Sequence, residues 1–151
     1  MRVAVVSPLF ESVPPRFYGG TERIVNNLCR GLNEAGAEVT LFASGDSTAS
    51  GQVVPVVEEA LRLSKKRIHD PVVFNLKMLA MVADRARDYD IVHNHHDYWM
   101  LPLSRMIETP MLTTLHGRLD MPDIRTAFDS YHECAYVSIS DSQRAPMAHL
   151  K

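Results

Sequence analysis

Three clusters of residue types in this chain are suited to chemistry. Tyr18-Gly19-Gly20-Thr21-Glu22 follows a first apolar run and opens an amphipathic segment. Paired glycines let backbone approach a ligand that a Cβ would exclude. A helix start behind them presents free N–H groups and a positive dipole end to an anion such as a diphosphate. The alternative is a plain turn before a helix, with Glu22 there for the dipole. G-x-G-x-x-G is absent, so a dinucleotide site is disfavoured. The second cluster is His93, His95, His96 and Asp97. On a strand, His93 and His95 share a face and His96 points away. Two imidazoles could ligate zinc, but the spacing supplies no third and fourth ligand, so no metal is expected. Hydrogen bonding to a polyhydroxylated ligand suits strand-end histidines, while a buried, satisfied side chain suits His93. The third is His116-Gly117-Arg118 at the end of another apolar run. An imidazole there can stabilise charge at a reacting centre. Gly117 lets backbone bend close, and Arg118 lines the same cleft or is a solvated charge. Ser140 and Asp141 end the last apolar run.

The elements that must hold these residues alternate. Strands are expected over residues 3–7, 39–43, 53–57, 91–95, 111–115 and 136–140, with Pro55 moving the third to an edge. A first helix carries Ile24, Val25, Leu28, Cys29 and Leu32 on one face and ends at Gly36. Asp70-Pro71 starts a second, carrying Val72, Val73, Leu76, Leu79, Ala80, Ala83 and Ala86. A third is expected over residues 101–107. Pro122 opens a fourth, with Ile124, Phe128 and Tyr131 inward, and Asp141-Ser142 caps a last one that Pro146 disturbs. This is an α/β pattern: a Rossmann-like three-layer α/β/α domain around a mostly parallel six- or seven-stranded sheet. With strand order 3-2-1-4-5-6, ligands bind between the first and fourth strands, beyond their carboxyl ends. All three clusters fall on that edge.

The chain has 151 residues, enough for one domain with a sizeable core. Its net charge of −2 argues against nucleic acid as a main partner. Cys29 and Cys134 make no disulfide framework, and a reduced, cytoplasmic protein is the simplest expectation. No run approaches transmembrane length. Peripheral membrane contact stays open.

Gly19 to Val25, continuing to Leu28, Leu32 and Gly36-Ala37-Glu38-Val39-Thr40-Leu41, resembles the opening of group 1 (family 4) glycosyltransferases. That helix commonly ends Gly-His-x-Val; here Ala37 replaces the His. Asp90 to His95 resembles the family's fourth strand, Thr114-Leu115-His116-Gly117 its fifth-strand motif, and Val137-Ser138-Ile139-Ser140 its sixth. Phe42 to Ser47 matches one bacterial branch. The resemblance spans essentially the whole chain.

It implies the GT-B architecture, two Rossmann-like domains facing across a cleft. Residues 1–151 would be the N-terminal, acceptor-side domain, and a C-terminal nucleotide-sugar-binding domain would be missing. The implied reaction is sugar transfer with retention. It needs no cofactor, since the nucleotide-sugar is a co-substrate, and generally no metal. By position, Gly19 and Gly20 would approach the donor diphosphate and His116 the transferred sugar. His95, Asp97, Gly117, Arg118 and Ser140 would be acceptor or substrate candidates, the acceptor being a sugar, glycan or lipid. The chain alone is expected to be inactive, because the transition state needs both walls. Two rival readings are a non-catalytic glycan- or nucleotide-binding module and half of another GT-B enzyme, such as a nucleotide-sugar 2-epimerase. The Gly19 to Glu22 context favours the transferase.

Overall fold

The apolar runs become six strands: β1 (Arg2–Val6), β2 (Glu38–Ser44), β3 (Gln52–Val57), β4 (Ile91–Asn94), β5 (Met111–Leu115) and β6 (Ala135–Ser138). In the computed structural model, which describes residues 1–150, they form one sheet of order β3-β2-β1-β4-β5-β6. Every pairing is parallel. β1 is central, and alternation sends Val3 and Val5 to one face, Ala4 and Val6 to the other. Both sets are enclosed, one under α1 (Gly20–Glu34), the other under α2 (Val72–Arg85). A third cluster around Phe128 of α3 (Pro122–Asp129) closes the β5–β6 side. Strand order reverses between β1 and β4, which opens the crevice there.

The helix ends follow local chemistry. Gly36 takes φ 84°, and the amides of Gly36 and Ala37 bond back to Asn33 and Leu32 carbonyls at 2.9 Å each. That is a Schellman ending, as expected of the glycine. Asp70 Oδ1 accepts the Val72 N–H at 2.9 Å and starts α2. Ser140, rather than Asp141-Ser142, caps α4 (Asp141–Arg144), its Oγ accepting the Gln143 N–H at 3.1 Å.

Three expected packing details differ. The 101–107 helix is a 3-10 segment, Asp97–Arg105, with Pro102 inside it supplying no N–H. In α1 the enclosed residues are Glu22, Val25 and Cys29, while Ile24 is 49% exposed. In α2 they are Asn75, Met78 and Val82, while Val72, Val73 and Leu76 are exposed. The α2 stripe was hidden because one of its members is polar: Asn75 Oδ1 accepts a hydrogen bond from His96 Nε2 at 3.0 Å. Among the described residues no helix is long and apolar enough to cross a membrane.

Candidate functional site

The loop from β1 to α1 brings Gly19 and Gly20 over the carboxyl edge of the sheet, and β5 ends there in His116. These three line one groove, with Glu11, Glu22 and Arg62. A second recess, lined by Gly117, Arg118, Asp120, Ser140 and Gln143, adjoins it. His116 and Ile139 belong to both, so His116 stands at the junction.

The two glycines do different things. A Cβ on Gly19 would lie 2.7 Å from Pro15 Cβ and 2.8 Å from Glu22 Oε2, whereas one on Gly20 would meet nothing within 4 Å. Gly19 is therefore a packing requirement of the loop. Gly20 leaves open space in front of the first turn of α1.

Behind His116, His95 is hydrogen-bonded to it and His93 packs against His95. His95 Nδ1 lies 2.9 Å from His116 Nε2. The His93 ring lies 4.3 Å from the His95 ring, and His93 Nε2 is 2.8 Å from Thr114 Oγ1. His95 is 1% exposed, so it backs His116 instead of facing an acceptor as expected from its strand-end position. Asp97 is likewise turned to the chain. Its φ is 44°, and Oδ1 accepts the His116 backbone N–H at 3.3 Å. It pins the β5 exit rather than lining either recess. Gln143 Nε2 donates to the Leu115 and Gly117 carbonyls and pins it from the other side. Arg118 is exposed and held in a bidentate pair with Asp120 at 2.9 and 2.7 Å. Ser140 is exposed in the recess, its Oγ engaged as the α4 cap. Among the described residues no group of three or more His, Cys, Asp or Glu is arranged to hold a metal ion.

Burial sets the protonation. It pushes His95 down to about 2, helped by His93 and His116, and His93 and His96 down to about 4. His116 is lowered by burial too, with Asp97 opposing. Burial raises Asp97 against the backbone bonds it accepts, and raises Glu22. Beside Glu22, Glu11 is 3% exposed and pairs with Arg62 at 3.1 Å; its Oε2 has no partner among the described residues. Glu11 and Arg62 fall in no sequence motif, and 51 positions separate them. Backbone bonds from Leu61 to Leu9 and from Arg62 to Phe10, with Leu9 and Leu61 in one core cluster, bring them together.

A family model described as Glycosyltransferase Family 4 matches residues 18–144. The chain belongs to glycosyltransferase family 4. No curated protein sequence matches it. Among solved structures it is similar to AviGT4, a glycosyltransferase involved in avilamycin A biosynthesis. That match has 25% identity and a TM-score of 0.53, over 77% of this chain and 32% of that one. It is also similar to Anabaena HepE in complex with UDP, at 17% identity and a TM-score of 0.61, over 99% of this chain and 41% of that one. Acinetobacter baumannii MurG follows at 10% identity and a TM-score of 0.57, over 94% and 42%. The family 4 chain thus spans well under half the length of these structures. The motif residues from Tyr18 to Arg144 fall inside the family match, and the α/β fold is the one these GT-B glycosyltransferases share.

Proposed function

We propose that this chain is the acceptor-side domain of a retaining glycosyltransferase that takes its sugar from a nucleotide-sugar. The observation that carries the reading is His116 at the junction of two recesses, one edged by the α1 N-terminus at Gly20, the other by Gly117, Arg118 and Ser140. The first suits a donor diphosphate: α1 offers amides and a positive dipole end, and Gly20 leaves room for close approach. Glu22 stands in that first turn, but burial favours its neutral form, and Arg62 offsets Glu11. The second recess suits an acceptor hydroxyl. His116 would then stabilise charge between them. HepE was solved with UDP, and with UDP and glucose, which supports a uridine diphosphate-type donor by analogy. No cofactor is needed in this reading, and the buried free thiols Cys29 and Cys134 are consistent with a cytoplasmic location.

The test is transfer from radiolabelled nucleotide-sugars to a panel of glycan and lipid-linked acceptors. It compares this chain alone with the chain joined to a nucleotide-sugar-binding GT-B domain. Transfer with retention by the joined protein, and none by the chain alone, supports the proposal. Glycan binding without transfer by either favours a binding module, and an epimerised nucleotide-sugar formed without acceptor favours an epimerase.

A further inference from the structure

His116 lines both recesses and holds one ring nitrogen against the buried His95. Its Nε2 is 2.9 Å from His95 Nδ1. Its Nδ1 has no partner among the described residues and is not one of the enclosed polar atoms. A neutral imidazole carries one N–H and one bare nitrogen. Burial keeps His95 neutral near pH 7 and lowers His116 in the same direction. One ring must donate to the other, which leaves two arrangements.

In the first, His95 donates from Nδ1 and turns a bare Nε2 to the interior. In the second, His116 donates from Nε2, His95 accepts on Nδ1, and the His95 proton must sit on Nε2. That Nε2 is enclosed and has no hydrogen-bond partner among the described residues, and the residue is 1% exposed. An N–H there would be stripped of water and given no acceptor. Orphaned buried N–H groups are the rarer kind in folded proteins, because a lost donor forfeits its full hydration. The first arrangement avoids that orphan. His93 makes no hydrogen bond to His95 among the described residues: its Nε2 is 2.8 Å from Thr114 Oγ1, and its ring packs against the His95 ring at 4.3 Å between centroids. Asp97 does not reverse the pattern either, since its Oδ1 accepts the backbone N–H of His116.

We propose that His95 donates from Nδ1–H to His116 Nε2, so that His116 carries its own proton on Nδ1 and offers the groove a hydrogen-bond donor. His95 is thus a positioning residue, and His116 enters the site as a donor to an oxygen rather than as a proton acceptor. The matching ligand group is a phosphate oxygen or a sugar hydroxyl oxygen; this identification of the occupant, unlike the tautomer, rests on the function proposed above.

Long-range proton–nitrogen correlation spectra of the ligand-free, nitrogen-15-labelled chain near pH 7 test the tautomer, with ring signals assigned through His116→Gln and His95→Asn. The expected result is a protonated Nδ1 and a bare Nε2 in both rings. A protonated Nε2 in His116 overturns the proposal. His95→Asn keeps an N–H near the place of Nδ1, so it should preserve the His116 pattern. His95→Leu removes the donor and should abolish that pattern; an unchanged pattern there overturns the positioning role. Should the Leu variant not fold, the wild-type and Asn spectra decide. Because no ligand is present, failure here leaves the transferase reading standing, and failed transfer leaves the tautomer standing.

Discussion

Gly19 and Glu22 are packed so closely that a single added carbon on the glycine would sit 2.8 Å from the Glu22 carboxylate oxygen and 2.7 Å from Pro15 Cβ. The loop and the first turn of α1 are therefore one packed unit. Gly19→Ala should shift both and destabilise the chain by about 1–3 kcal/mol. Gly20→Ala meets nothing within 4 Å and should leave stability within about 0.5 kcal/mol. If the open space before Gly20 receives a diphosphate, Gly20→Ala should still weaken binding of a nucleotide-sugar. Urea denaturation of both variants, beside calorimetric titration of the joined two-domain protein, separates fold from ligand.

His95 and His96, which are buried, and His93, which is half-buried, should make the chain acid-labile well above the carboxylate range. Unfolded, His93, His95 and His96 take up protons near pH 6.5; folded, they resist until about 4, 2 and 4. A lowered folded pKa gives stability that is present above the unfolded value and lost as pH falls. Each histidine therefore withdraws up to about 1.4 kcal/mol per pH unit below about pH 6.5. Asp97 and Glu22 are raised, so they act with the opposite sign and only nearer the carboxylate range. Thermal stability should fall steadily from about pH 7 to 5, His116 adding to the slope in the same direction, and His96→Gln should make the slope shallower. A flat profile would contradict neutral burial of these rings.

His116→Ala should lower turnover of an active protein carrying this domain by about 100-fold or more. The fold should survive, because the vacated space opens to the groove and water can reach His95 Nδ1. Circular dichroism with single-turnover kinetics separates the two effects. Unchanged turnover would make His116 structural.

What the sequence made legible follows from backbone chemistry. The strand order, the Gly36 ending and the convergence of Gly19, Gly20 and His116 all come from apolar runs, turn residues and the rule for open parallel sheets. What stayed hidden depends on partners distant in sequence. His95 carries the same strand-end signal as His116, yet it is sealed behind it, because only packing decides which strand end is outermost. Asn75 disguised the inner face of α2, and Glu11 found Arg62 across 51 positions through two backbone bonds.

That Glu11–Arg62 contact should be measurable. Glu11 is 3% exposed and Arg62 is its cation at 3.1 Å. Arg62→Ala would leave a buried carboxylate uncompensated and should cost about 1–3 kcal/mol, below the usual figure for a fully buried pair because the Arg62 side chain is 54% exposed. Pairing it with Glu11→Gln should recover part of the loss. A double-mutant cycle by urea denaturation reads the coupling, and strict additivity would show that the two residues act independently.

The rotation of α2 gives the sharpest contrast between pattern and packing. Leu76 and Met78 lie two residues apart and are both apolar, so periodicity alone admits either to the core. Leu76 is 59% exposed, while Met78 is fully enclosed among residues of β1, β3 and the 3-10 segment. Met78→Ala should therefore cost about 2–5 kcal/mol by leaving a cavity under the sheet. Leu76→Lys should change stability by no more than about 0.5 kcal/mol. Asn75→Leu tests why the helix chose this face. It removes the acceptor of the His96 Nε2–H, whose residue is buried and which has no other partner among the described residues, and should cost about 1–3 kcal/mol despite adding apolar surface. Thermal melts of the three variants should rank them in that sense. A stabilised Asn75→Leu would show that apolar packing, not the Asn75–His96 bond, fixes how α2 sits on the sheet.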